Sequence, residues 1–312
     1  MASKFTIHNG PESNSVNAPV NFTTGLEVGG LSFPSLAGKA WYVDSASTAG
    51  SGADGKTKAT AFTTIAAAIT AASADDAIFI YPGTYAENLT VTKDNLSLVA
   101  PRAWGNSKRV IVQPAAGIAL TLRGCKRFTA RAIRFSGISG VGVLSDGEGS
   151  LFADCDFASD TSHGVKFLSA TATAFTGSGT HFERCLFRGC GGAGLQVAAG
   201  TGVALGLQAT NVNVRDCQFY ENTDDDVNDD AAGGTQTYYS QWCIEGCKFM
   251  TRNKTTYLDL NGGSGSTELL VANCYFATDD VGRLTSTQVQ LPTGGVAVAL
   301  YDATGIVDAN AF

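Results

Sequence analysis

Asp154-Cys155-Asp156-Phe157 returns as Arg184-Cys185-Leu186-Phe187, Asp216-Cys217-Gln218-Phe219, Gly246-Cys247-Lys248-Phe249 and Asn273-Cys274-Tyr275-Phe276. An earlier copy, Ala132-Ile133-Arg134-Phe135, carries Ile in place of Cys. Successive copies lie 22, 30, 32, 30 and 27 residues apart, a period that marks a solenoid. Within each copy the apolar-x-apolar spacing is that of a strand, so Cys and Phe share one face. Further short strand candidates lie between the copies, at Val141–Leu144, Gly164–Leu168, Gly194–Val197 and Tyr257–Leu260, set apart by Gly- and Ser-rich turns.

Each copy therefore reads as one coil of short strands. Parallel stacking at ~4.8 Å lets every coil bury its inner face against the next. Equivalent inward positions then fall above one another. Phe135, Phe157, Phe187, Phe219, Phe249 and Phe276 make one ladder; Ile133, Cys155, Cys185, Cys217, Cys247 and Cys274 make another. From Ile78 to about Leu300 there is room for roughly nine coils, a stack of ~43 Å. Leucine-rich repeats would need a Leu-x-x-Leu-x-Leu pattern, and propeller blades a longer period.

The eight cysteines include no Cys-x-x-Cys pair, which gives zinc or redox chemistry little support. They read as buried small hydrophobes. Charged residues are 16% of the chain and hydrophobic residues 44%, with 37 Gly. This excludes the highly charged disordered class and argues against a helical bundle. Net charge is −7, so nucleic acid is not expected as a partner. No apolar run of about 18 residues is present, and the start Met1-Ala2-Ser3-Lys4-Phe5-Thr6 lacks an apolar signal core. The expectation is a soluble chain made in the cytoplasm.

An end cap precedes the coils. Phe62, Ile65 and Ile69 fall at helical spacing with Ala between them, which predicts a short capping helix near 62–72. Ala77-Ile78-Phe79-Ile80-Tyr81 follows as a buried strand, then the turn Pro82-Gly83-Thr84-Tyr85. Asp54-Gly55, Phe62-x-x-Ile65-x-x-x-Ile69 and Asp76-x-Ile78-x-Ile80-x-Pro82-Gly83-x-Tyr85 together resemble the entry of the pectate-lyase-like superfamily. The resemblance covers about residues 41–280. It implies an all-β fold, a right-handed single-stranded parallel β-helix. That superfamily includes polysaccharide lyases and hydrolases, bacteriophage tailspikes and proteins without catalysis.

Residues 1–40 differ in character, with the turn-rich His8–Ser15 and Phe22–Leu31, which resembles short β segments of phage tail fibres and tailspikes. The expected organisation is an N-terminal attachment arm at 1–40, the β-helix at 41–290, and a C-terminal β cap or oligomerisation segment at 291–312. Polygalacturonase-type hydrolases resemble one another in an Asn-x-Asp strand, a later Asp-Asp pair, a Gly-His turn and an Arg-x-Lys. The Gly-His turn is absent here, and the Arg-x-Lys spacing occurs only at Arg252-Asn253-Lys254. The lyase residue set, calcium-binding aspartates with an Arg or Lys, cannot be matched residue by residue either.

The acidic run Asp224-Asp225-Asp226-Val227-Asn228-Asp229-Asp230 is the candidate binding region. Five carboxylates in seven residues repel unless solvated or holding a hard cation such as calcium. The stretch continues to Tyr238, Tyr239 and Trp242, whose rings could cover apolar sugar faces while the acids accept hydroxyl bonds. The competing expectation is a solvated loop, with the aromatics packed into the coil. The residues before each cysteine, Asp154, Arg184, Asp216, Gly246 and Asn273, are expected to point outward in a column, as a solvated face with opposite charges as neighbours.

These features imply a structural protein on the surface of a phage-like virion, as tailspike, tail fibre or capsid decoration. Its expected partners are other virion proteins, itself as a homotrimer, and host surface polysaccharide bound without cleavage; no membrane and no cofactor beyond a calcium ion are expected. The alternative is a polysaccharide depolymerase, lyase or glycoside hydrolase, on the same fold.

Overall fold

The computed structural model describes residues 26–28, 31–33, 38–101, 110–168, 177–198, 208–230, 238–251, 256–260, 267–277, 289–290, 296–302 and 305–307. The chain divides into two units, Met1–Ala37 and Gly38–Phe312. In the first, Leu26–Val28 pairs antiparallel with Leu31–Phe33. Of the expected arm at 1–40, residues 38–40 are also described, Ala40 opening the first strand of the second unit, and the rest lies outside the described residues.

The second unit is a parallel β-helix, each coil carrying three strand faces. First-face strands are Ala40–Val43, Ala77–Ile80, Ser97–Val99, Thr129–Arg131, Leu151–Ala153, His181–Glu183 and Asn213–Arg215, continued by parts of Tyr238–Glu245 and Thr267–Phe276. Second-face strands include Gly83–Tyr85, Val110–Val112, Ile133–Gly137, Asp156–Ser159, Leu186–Cys190, Gln218–Tyr220 and Lys248–Phe249. The third face is an eight-stranded sheet running through Leu89–Val91, Leu120–Leu122, Val143–Ser145, Val165–Leu168, Leu195–Ala198, Val227–Asp230, Leu258–Asp259 and Val289–Gln290. All three faces pair in parallel, coil on coil. Near the C-terminus Val296–Asp302 extends the parallel stack on Thr267–Phe276 and turns back antiparallel onto Gly305–Val307.

The bend between the first and second faces is a left-handed residue. Ala132, Asp154, Arg184, Asp216, Gly246 and Asn273 all have φ between 52° and 66°. The expected outward column stands at this corner, where one αL residue turns the chain toward the next face. Arg184 Nε lies 3.0 Å from Asp154 Oδ1 along that corner. A second left-handed column, Asp75, Asn95, Arg127, Gly149, Gly179, Asn211 and Gln241, leads into the first face. Asn95 Nδ2 donates to Asp75 Oδ1 at 2.7 Å within it.

The residue after each first corner points inward, and so does the phenylalanine two further on. Ile133, Cys155, Cys185, Cys217, Cys247 and Cys274 are all buried, and the six phenylalanines from Phe135 to Phe276 are fully buried. Ring centroids are 4.9 Å apart for Phe157–Phe187, 4.6 Å for Phe187–Phe219 and 4.9 Å for Phe219–Phe249. The register that aligns Phe135, Phe157, Phe187, Phe219, Phe249 and Phe276 is that of the strand pairing itself.

The capping helix is Ile65–Ala71, with Thr64 as its N-cap and Ile65, Ala68 and Ile69 buried. Phe62 falls outside it, in a strand bridge to Val43. Both helix ends are held by side chains of the first third-face strand's flanks. Glu87 accepts from the amides of Ile65 and Ala66 at 2.9 and 2.8 Å. Lys93 donates to the carbonyls of Ile69, Thr70 and Ala72. Asp76, nearly fully buried, accepts from Lys39 N, Trp41 Nε1 and Ser73 N, tying the cap to the entry strand. Among the described residues no helix is long and apolar enough to cross a membrane.

Candidate functional site

The third face alternates inward and outward side chains as any strand does. Its inward positions, among them Val165, Phe167, Leu195, Val197, Val227 and Leu258, are buried. The residues between them share one outward column. Lys166 is in register with Gln196, Gln196 with Asn228, and Asn228 with Asp259. Four side chains able to bond a polar ligand thus stand one above another on adjacent coils.

Among the described residues, two atoms of this column, Gln196 Oε1 and Asn228 Oδ1, have no hydrogen-bond partner. Gln196 is 6% exposed, and its Oε1 is buried with no hydrogen-bond donor. Asn228 Oδ1 is in the same condition one coil away. Native proteins rarely leave buried acceptors unpaired, because each one forfeits its bonds to water. Asn228 spends its Nδ2 on the Asp225 carboxylate. Among the described residues Lys166 has no ion-pair partner.

The acidic run builds the entry to this face. Val227–Asp230 is a third-face strand, in register with Leu195–Ala198. The run is therefore turn over Asp224–Asp226 and strand over Val227–Asp230, where it continues the sheet. Asp224 is exposed, Asp225 half-buried and Asp226 fully buried. Asn222 Nδ2 donates to Asp226 Oδ1 at 2.8 Å and to the Phe187 carbonyl at 3.2 Å, while Asn222 Oδ1 accepts from Cys190 N at 3.3 Å. The turn before the strand is tight: a Cβ on Gly194 would meet the Asp226 carbonyl oxygen at 2.8 Å. Close stacking of one coil on the next requires glycine there. Burial pushes the adjacent Cys190 thiol up to about 12.

Trp242 is not a sugar platform. It is 1% exposed and belongs to the hydrophobic core, because it follows the Gln241 corner at an inward position. Tyr238 and Tyr239 lie in the strand Tyr238–Glu245, paired with Gln208 and Ala209. Their side chains, and those of Asp229 and Asp230, lie outside the described residues. Among the described residues no three His, Cys, Asp or Glu side chains converge as metal ligands.

Sequence reasoning did not single out Lys166, Gln196 or Asp259. The signal was available: each is the polar residue inside a strand candidate at Gly164–Leu168, Gly194–Val197 or Tyr257–Leu260. A second polar cluster also went unmarked. On the outer side of the second face, Asp156 is 3% exposed, with Arg188 Nη2 at 2.8 Å and Arg134 Nε at 3.9 Å.

The profile described as "Right handed beta helix region" matches residues 116–289, more than half of the chain. The chain belongs to the right-handed β-helix family. Among solved structures, this β-helix protein is similar to the pectate lyase Pel9A, at 12% identity and a TM-score of 0.56, over 85% of this chain and 77% of that one. It is similar to the pectin methylesterase PemA from Erwinia chrysanthemi at 15% identity and a TM-score of 0.46, over 86% and 90% of the two chains. ORF18 of Geobacillus virus E2 aligns at 12% identity and a TM-score of 0.37, over 73% of this chain and 53% of that one. No curated protein matches the sequence. At these identities the likeness to Pel9A shows the shared fold and nothing further.

Proposed function

We propose that this β-helix protein is a structural component of a phage-like virion, and that the outer side of its third face binds host surface glycan without cleaving it. The observation that carries the glycan reading is the outward column Lys166–Gln196–Asn228–Asp259 with its two unpaired amide oxygens. A saccharide satisfies such groups, since every hydroxyl both donates and accepts. Asp225 and Asp226 are engaged by Asn228 and Asn222, which suits carboxylates that shape a surface rather than turn over a substrate. The virion setting rests on the character of residues 1–40 and on the resemblance to tailspikes. In this reading that segment attaches the protein to the particle, and the β-helices assemble as a homotrimer.

The second reading is a depolymerase. The column offers it two ionisable side chains, Lys166 and Asp259, which stand three coil steps or ~14 Å apart and so would act at separate positions along a bound chain rather than as a pair across one bond. Incubating the purified chain with host surface polysaccharide separates the two. Retention of polymer with no new reducing ends or unsaturated products supports binding. Robust turnover that disappears in Asp259→Asn or Lys166→Met establishes the enzyme. Light scattering near three times 32.2 kDa supports the trimer, and a clean monomer removes it.

A further inference from the structure

We propose that the interior thiol column Cys155–Cys185–Cys217–Cys247–Cys274 is a binding site for soft, two-coordinate divalent metal ions of the mercuric class. Each ion is held in line between the sulfurs of two successive coils. The site is independent of the outer surface of the third face.

All five sulfurs point the same way. Each lies between 3.2 and 3.5 Å from the carbonyl oxygen two residues before it, at Ala153, Glu183, Arg215, Glu245 and Ala272. Each also lies between 3.3 and 3.6 Å from the carbonyl at the centre of the first-face strand one coil earlier, at Ala130, Phe152, Phe182, Val214 and Ile244. Equivalent partners in every coil mean one side-chain conformation repeated five times. The residues that follow the cysteines are in register, Asp156 with Leu186, Leu186 with Gln218, Gln218 with Lys248 and Lys248 with Tyr275. One coil step of ~4.8 Å therefore carries each sulfur onto the next.

That spacing selects the ion. A thiolate–metal bond is ~2.3 Å in zinc sites, so two such bonds in line span ~4.6 Å. An ion on the line between two sulfurs thus meets both with the backbone in place. Zinc takes four ligands at tetrahedral angles, and among the described residues no three candidate ligands converge. Soft ions that accept two thiolates in line need no third.

Charge selects the valence. On binding, two S–H bonds break, two metal–sulfur bonds form, and both protons leave to solvent; no electron is transferred. Two thiolates and one dication sum to zero. The five thiols are 2% exposed or less, and a neutral group is the one such a place accepts without a buried charge. Monovalent copper would leave one negative charge at each site. Cys185 N donates to Cys217 Sγ at 3.4 Å, which favours the thiolate form there.

Each sulfur serves one ion, so five thiols hold two. A parity follows. Loss of the middle member, Cys217, leaves the pairs Cys155–Cys185 and Cys247–Cys274. Loss of Cys185 or Cys247 leaves room for one ion.

The test loads mercuric chloride into the full chain carrying Cys243→Ala, because Cys243 is half-buried and stands outside the column. Incubation runs until uptake stops, since entry requires local opening of the coils. Dialysis against a free monothiol then strips ions held by one sulfur, and native mass spectrometry counts those retained. Two ions per chain are expected, with a raised thermal midpoint. Cys217→Ala keeps two, whereas Cys185→Ala and Cys247→Ala each keep one. Zinc chloride treated alike leaves none. No retained mercury, equal retention of zinc, or equal loss in all three variants overturns the proposal. Where a variant does not fold, X-ray absorption of the mercury-loaded Cys243→Ala chain decides. Two sulfurs in line support the site, and any other coordination overturns it.

Discussion

Arg188 grips Asp156 from the next coil with two bonds, Nη2 to Oδ2 at 2.8 Å and Nε to Oδ1 at 3.2 Å. The carboxylate is almost wholly buried, on the outer side of the second face. Arg134, in register with Asp156 on the preceding coil, approaches only to 3.9 Å. A bidentate Arg–carboxylate pair is among the stronger charge-assisted contacts, whereas a single long approach adds little. Arg188→Met therefore costs more stability than Arg134→Met, by about 1–2 kcal/mol once the partial exposure of both arginines is allowed for. Urea unfolding of the two variants checks the order; equal losses would show that Asp156 draws on both arginines alike.

Phe249 and Phe276 stack at 4.5 Å with planes 5° apart, at the tight end of the aromatic column. Removing one ring leaves its neighbours facing a void that the rigid coil cannot close. Phe249→Ala is expected to cost ~3–5 kcal/mol, and Phe249→Leu clearly less. Denaturant midpoints at constant m-value give the comparison.

The capping helix has only seven residues and depends on the side chains at its ends. Glu87 serves two of its free amides, and Lys93 reaches the carbonyls at its other end. Glu87→Ala should lose ~0.5–2 kcal/mol, with Lys93→Met in the same range. Hydrogen exchange of Ile65 to Ala71 should rise before that of the phenylalanine strands, because the cap opens first. Uniform exchange across both would mean that cap and coils unfold as one unit.

Burial pushes the Cys125 thiol up to about 11 and the Cys190 thiol up to about 12. The folded chain thus holds these protons at a pH where the unfolded chain has released them. The stability they contribute is complete below the ordinary thiol value of 9.0 and is lost as pH rises toward about 11 and about 12. The urea midpoint should be flat below about pH 8 and fall above about pH 9, less steeply in Cys125→Ala. In the native state at neutral pH these two thiols should resist a maleimide that labels them promptly in urea.

The repeat, the coil and the inward ladder were legible because they rest on local alternation. A strand alternates sides with every residue, so Cys-x-Phe repeated along the chain announces a buried face wherever the coils begin. The cap was legible for the same reason, except that the helix starts at Ile65, where Thr64 supplies the N-cap, rather than at Phe62. That the outward column forms a corner was not legible, because a single left-handed φ leaves almost no mark in composition: Ala132, Asp154 and Arg184 adopt it here as Gly246 does.

The outward column is a different kind of fact. Lys166, Gln196, Asn228 and Asp259 are separated by unequal lengths of chain, 30, 32 and 31 residues. Which of them share a column depends on register, and register follows from packing of the inward residues, not from the polar residues themselves. The same packing drew Trp242 into the core and turned part of an acidic run into a sheet strand. The sequence by itself determined a solenoid with a Phe and Cys interior. The tertiary structure decided which polar groups meet on its surface, because only stacked coils bring residues some thirty positions apart to within one strand spacing.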